Sequence, residues 1–148
     1  CPVAGPSEEA LIQAIMDVRS QIDFLWQFFV SVHIAIFALL LLYDHAVETL
    51  SVVAKTLTVA GIAAFEWING NALVTAYTLV DSMHEQYRLT YGQANRFHYT
   101  FYEHFVLATF QSRPSVVLMT HSTALVIVLL AFASRRFIQN HPAKQQRP

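Results

Sequence analysis

Apolar residues dominate two stretches of this chain so completely that no polar face is left. Residues 24–43 (FLWQFFVSVHIAIFALLLLY) and 115–134 (SVVLMTHSTALVIVLLAFAS) are each twenty residues long and carry no formal charge. At 1.5 Å per residue either makes a helix about 30 Å long, the thickness of a bilayer's hydrocarbon core. A helix in water keeps one polar side, whereas 24–43 breaks its apolar surface only at Gln27, Ser31 and His33. Both stretches predict membrane spans. Phe24, Trp26 and Phe28 at one end of the first, and Tyr43 at the other, suit the interface, where an aromatic ring is apolar and its edge is wet. Arg135 and Arg136 stop the last span at once.

The flanks are patterned differently. In residues 1–21 a Pro/Gly leader precedes Ser7, an N-cap candidate, with Glu8 and Glu9 in the first turn where carboxylates suit the helix dipole. Leu11, Ile12, Ile15, Met16 and Val18 recur at helical spacing, so an amphipathic helix is expected, lying on the membrane or on a partner. Residues 46–83 are too long for one upright span and too short for two. A span over 48–68 lets Lys55 snorkel at one face and leaves Glu66 and Trp67 at the opposite interface. A span over 56–80 instead puts Glu66 near mid-membrane, beside Asn69 and Asn71, where a carboxylate costs a few kcal/mol and marks a functional site. The first placement is favoured, because it buries no carboxylate, and 69–71 then reads as a break in the helix. Gly92 separates the continuation from a second helix over 94–111, striped by Phe97, Phe101, Phe105 and Ala108; Pro114 ends it and Ser115 is the N-cap candidate for the last span.

The fold class that results is an all-α integral membrane protein. It has three transmembrane helices at about 22–43, 48–68 and 115–135, an N-terminal amphipathic helix, and an outer-face helical hairpin at about 72–112. All of it forms one membrane domain with a polar, flexible tail over 138–148. Arg135, Arg136, Lys144 and Arg147 follow the last span, so the C-terminus is expected in the cytoplasm and the N-terminus outside, in a bacterial inner membrane.

Composition agrees with this class: of 148 residues, 55% are hydrophobic and 13% charged, too apolar for an ordinary soluble domain of this size. A net charge of −1 gives no concentrated basic face for nucleic acid. One cysteine excludes an internal disulfide, and because it is Cys1 it is also a candidate for lipidation, since lipoprotein processing leaves an N-terminal cysteine.

Seven histidines invite cofactor chemistry. His33 and His121, one on each uncharged span, could supply axial imidazoles to a haem b, although a Cys-x-x-Cys-His attachment sequence is missing. Folding the hairpin about Gly92 brings Asp81 and His84 opposite His98 and Glu103, with Tyr102 near them. Two imidazoles and two carboxylates suit zinc, copper or iron, but no paired Glu-x-x-His and no His-Glu-x-x-His occurs. Lys55 and Glu66 are intramembrane polar residues that could relay protons if Glu66 lies deep. No Gly-rich phosphate loop and no Gly-x-Ser-x-Gly is present.

Three spans enclose little volume for a substrate, so the expected role is a small non-catalytic subunit of a larger membrane complex, or a homo-oligomer, docking through its helices and hairpin. The alternatives are a redox subunit holding haem, quinone or a metal on the histidines, and a small transporter or channel component using Glu66. The protein should sediment with membranes and need detergent for extraction; full dispersal in detergent-free buffer would overturn the class.

Overall fold

The computed structural model describes residues 5–42 and 49–139, with side chains described as far as residue 132. Three long helices make up most of it: α1 (Glu8–Leu42), α2 (Val52–Tyr91) and α4 (Arg113–Gln139). Between the last two the chain forms a 3-10 turn (Ala94–Arg96), a single-turn helix α3 (Tyr99–Phe101) and a π turn (Tyr102–Val106). No strand occurs among the described residues, and each of the three long helices contains a segment long and apolar enough to cross a membrane.

Ser7 caps α1 as its sequence predicts, accepting from the Ala10 N–H at 3.2 Å, and Ser51 does the same for α2 through Ala54. α2 ends at Gly92, whose N–H donates to the Arg88 carbonyl. A Cβ at that position would stand 2.4 Å from the Arg88 oxygen, so only glycine lets the chain turn off there.

With 35 and 40 residues, α1 and α2 are about 52 and 60 Å long, each far longer than a hydrocarbon core. The amphipathic segment and the first apolar stretch are one continuous helix, and so are the two pieces of α2, with no break at 69–71. The buried face of α1 advances by four, three and four residues through Leu11, Ile15, Val18 and Ile22. It packs in one core with Leu73, Ala76, Tyr77, Val80 and Tyr87 of α2. This spacing averages about 3.7 residues, close to the helical period, so the row stays on one face of α1 for three turns. The amphipathic face thus finds its partner within the chain, and the hairpin outside the apolar stretches is made by the first half of α1 and the second half of α2.

At the tip of this stalk Glu8 is held twice, by the Tyr87 hydroxyl at 2.9 Å and by the Arg96 guanidinium at 3.1 Å. The Tyr91 hydroxyl donates to the Pro6 carbonyl at 2.8 Å. Burial and the carboxylate beside it push the Tyr87 hydroxyl up to about 12, so it remains a donor.

The expected second hairpin helix over 94–111 is not formed, and the reason is packing. Phe105 and Phe110 both close on His84, with ring centroids 5.0 and 5.4 Å away. Positions five apart point about 140° from one another on an α-helix, so both can cover one imidazole only if the helix unwinds. The π turn does part of this, with Leu107 N–H bonded to the Tyr102 carbonyl. Asp81 Oδ1 fixes the rest by accepting from Phe110 N–H at 2.6 Å and from the Thr109 hydroxyl at 3.3 Å. The Phe97, Phe101, Phe105 stripe survives as a stack at 5.4 and 4.8 Å.

His84 is 1% exposed and neither ring nitrogen has a hydrogen-bond partner. Burial holds its pKa below the usual 6.5, and the Arg19 charge across on α1 and Arg88 lower it further, against Asp81 and the Phe105 carbonyl. A histidine depressed in the folded state is fully stabilising above its unfolded pKa and loses that contribution as pH falls below it. Mild acid should therefore lower the amide protection factors, exchange rates corrected for the intrinsic pH dependence, of connector residues 97–110. His84→Leu should remove most of that acid sensitivity, and an equal loss of protection in the variant would refute the assignment.

Candidate functional site

Three helices contribute to one polar row inside the apolar segments. His33 of α1, Glu66 and Asn69 of α2, and His121 of α4 are all less than 9% exposed. His33 Nε2 stands 2.9 Å from Glu66 Oε1, and Asn69 Nδ2 stands 3.1 Å from His121 Nε2. Helical periodicity explains the convergence: Glu66, Asn69, Leu73 and Tyr77 recur at three and four residues and line one face of α2.

Both imidazoles are oriented by their own helix. His33 Nδ1 lies 2.8 Å from the Phe29 carbonyl and His121 Nδ1 lies 2.9 Å from the Val117 carbonyl, four residues back in each case. A carbonyl only accepts, so each Nδ1 carries a hydrogen and each Nε2 faces α2. At His121 the consequence is definite: Nε2 is an acceptor, Asn69 donates to it, and the imidazole is neutral. The Asn69 oxygen is then left without a partner, as is Glu66 Oε2.

Aromatic rings pack the spaces between. Phe29 lies between the imidazoles, its centroid 4.2 Å from His33 and 4.4 Å from His121. Trp26 closes over Phe29 at 5.6 Å and His121 at 5.9 Å, and its Nε1–H donates to the Tyr77 hydroxyl at 3.0 Å. Gly70 makes room for this: a Cβ there would meet His121 Cδ2 at 3.3 Å. α1 and α4 both lean on α2, and between them runs a groove of about 450 Å³ lined by His33, Phe37, Thr120, Thr123 and Ile127.

The pairing favours the deeper of the two placements of Glu66. Counting from His33 and Glu66 at 1.5 Å per residue along antiparallel helices, Phe24 lies level with about residue 75 of α2 and Leu42 with about residue 57. The apolar level of α2 is therefore close to 57–75. Glu66 sits at its middle, not at its edge beside Trp67, whose side chain is 73% exposed. Lys55 lies at the far end, eleven residues or about 16 Å along α2 from Glu66, so the two make no direct relay.

His33 and His121 do come together, but not around a slot. Phe29 fills the space a porphyrin would occupy, and both Nε2 atoms already face α2 side chains. Asp81, His84, His98 and Glu103 are not gathered into a site. Asp81 tethers the connector, His84 is enclosed by phenylalanines, His98 Nδ1 accepts from Thr100 N–H at 3.4 Å, and Glu103 is exposed. Among the described residues no group of three or more His, Cys, Asp or Glu side chains is placed to hold a metal. Cys1 and the tail beyond 139 lie outside the described residues. The sequence reading missed Asn69 as the partner of His121 and Trp26 as the partner of Tyr77, although the spacing of Glu66, Asn69 and Leu73 carried the signal.

No family model matches the chain, and neither a curated protein nor a solved structure is detectably similar to it. Function must therefore be argued from the geometry.

Phe29→Ala removes the ring that separates and supports both imidazoles, a loss on the order of 3–5 kcal/mol for a buried phenylalanine. Asn69→Leu forfeits one interhelical hydrogen bond, about 0.6–2 kcal/mol in an apolar medium. Unfolding in detergent should rank the variants in that order; the reverse ranking would mean the polar row, not the aromatic packing, holds the site.

Proposed function

We propose that this chain is a small, non-catalytic subunit of a larger bacterial inner-membrane complex, crossing the membrane three times and joined to its neighbours chiefly through α2. The observation that carries the reading is the outward face of α2. Opposite the buried row, the apolar level of α2 exposes Ala60, Gly61, Ala64, Asn71 and Thr75 among Leu57, Trp67 and Ile68. The outward faces of α1 and α4 are richer in large aliphatic residues, such as Ile34, Leu39 and Leu41, and Leu118, Ile127 and Leu130, with Ser31, Ala35, Ser122 and Thr123 among them. Lipid favours bulky aliphatic side chains, whereas small residues and an amide favour a second helix, because they allow close backbone approach and an interhelical hydrogen bond.

In this reading the stalk stands in the periplasm. Lys55 of α2, with Arg135 and Arg136 of α4, marks the end of the helices opposite the stalk, and basic residues favour the cytoplasmic side. Leu89, Tyr99 and Leu107, exposed on the stalk, offer a further contact outside the membrane. Acylation of Cys1 would tether the same end.

Gly61 provides a clean test, since nothing in the chain lies within 4 Å of a Cβ added there. Native mass spectrometry after gentle extraction should show the chain with other polypeptides or with further copies of itself. Gly61→Leu combined with Ala64→Leu should release it as a folded monomer, while Leu130→Ala leaves the assembly intact. A stable monomer in the unaltered protein would overturn the reading.

A further inference from the structure

The geometry points to a proton-binding site at mid-height of the apolar segments: His33 Nε2 and Glu66 Oε1 hold one proton between them, reached through the groove between α1 and α4. The argument starts from the count of hydrogens. The Phe29 carbonyl requires a hydrogen on His33 Nδ1, so Nε2 either bears a lone pair or belongs to an imidazolium. With the lone pair present, an ionised Glu66 would set two buried acceptors 2.9 Å apart with no donor between them. With the imidazolium present, a protonated Glu66 would leave an isolated buried cation. Only the states with one proton avoid both penalties: a carboxylic acid donating to a neutral imidazole, or a carboxylate receiving from an imidazolium. Moving the proton from Glu66 Oε1 to His33 Nε2 interconverts them without changing the net charge of the pair.

The contact is not aligned with the ring N–H direction, which leaves the proton less tightly held than in a linear hydrogen bond. The titratable groups facing the pair are few. α4 presents His121, kept neutral by its bonds to Val117 and Asn69, and on α2 Lys55 is about 16 Å away.

The rings of Trp26, Phe29 and His121 pack against one another on the stalk side of the pair. The groove passes His33 in both directions, lined by Phe29, Met119 and Thr120 toward the stalk and by Thr123, Phe37 and Ile127 away from it. Loss of the proton would oppose lone pair to carboxylate across the α1–α2 contact, so occupancy also latches these helices together at this level.

Two spectra on the full chain in lipid nanodiscs count the proton. The infrared carbonyl band of a non-aqueous carboxylic acid reports Glu66, and it is assigned by its loss in Glu66→Gln, or by ¹³C-labelled glutamate in the unaltered protein should that variant not fold. The ring ¹⁵N shifts of His33 report whether Nε2 is protonated. A band with neutral His33, or no band with His33 as imidazolium, gives one proton and supports the site. A band with imidazolium, or neither, overturns it. Ala124→Phe, which fills the groove wall beside Thr123, should keep the same proton count and slow its exchange with deuterium; unchanged exchange would refute the groove as the route.

Discussion

The register between α1, α2 and α4 rests on polar contacts made where no water can replace them. Glu66 meets His33 at 2.9 Å and Asn69 meets His121 at 3.1 Å, so α2 is keyed to one neighbour on each side within a single helical turn. Apolar packing alone would tolerate a slip of α1 along α2, since Leu, Val and Phe are largely interchangeable as neighbours. A slip of one turn, 5.4 Å, would instead strand a carboxylate and an imidazole in an apolar medium. The polar row therefore selects one alignment among many of similar packing energy.

Everything outside the apolar level inherits that alignment. Once His33 stands beside Glu66, the 4-3-4 row of Leu11, Ile15, Val18 and Ile22 falls opposite Val80 and Tyr87, and Glu8 reaches the tip where Tyr87 and Arg96 wait for it. The stalk is thus the same helix pair continued beyond the apolar stretches. Its core changes from an aromatic and polar packing around Phe29 to a largely aliphatic one, and its surface acquires Glu9, Asp17, Glu85 and Arg88. The connector then closes the stalk by aromatic contact with His84 and by the Asp81 tether, at the cost of regular helix.

The same geometry separates two kinds of polar residue in the apolar segments. Thr56, Thr58 and Thr120 return their hydroxyls to the carbonyl four residues back and ask nothing of a neighbour. His33, Glu66, Asn69 and His121 cannot satisfy themselves in that way, and they are the ones gathered between helices. Asn71 belongs to the first group by its bond to the Trp67 carbonyl, yet it faces outward on α2 with the small residues. Its amide retains bonding capacity toward a neighbour, which is why the proposed interface is placed on the outer face of α2.

The apolar helices were legible from composition and run length, because length and hydrophobicity summed over about twenty residues are local properties. The uncharged runs, described over 24–42 and 115–134, the Ser7 cap, the amphipathic period of 11–22 and the phenylalanine stripe of 97–105 are all local patterns, and all reappear in the structure. Depth and pairing were not legible, because they depend on which residue of one helix stands beside which residue of another. The apolar run of α2 allowed two placements of Glu66; His33, thirty-three residues earlier, stands beside it and sets it level with the middle of the apolar stretch of α1. Likewise, nothing near Phe105 or Phe110 announces that both must reach His84 and that a helix over 94–111 has to give way. Local sequence chose the apolar stretches and the helices, whereas long-range pairing of a few polar and aromatic side chains, with energies that exist only once the helices meet, chose their register.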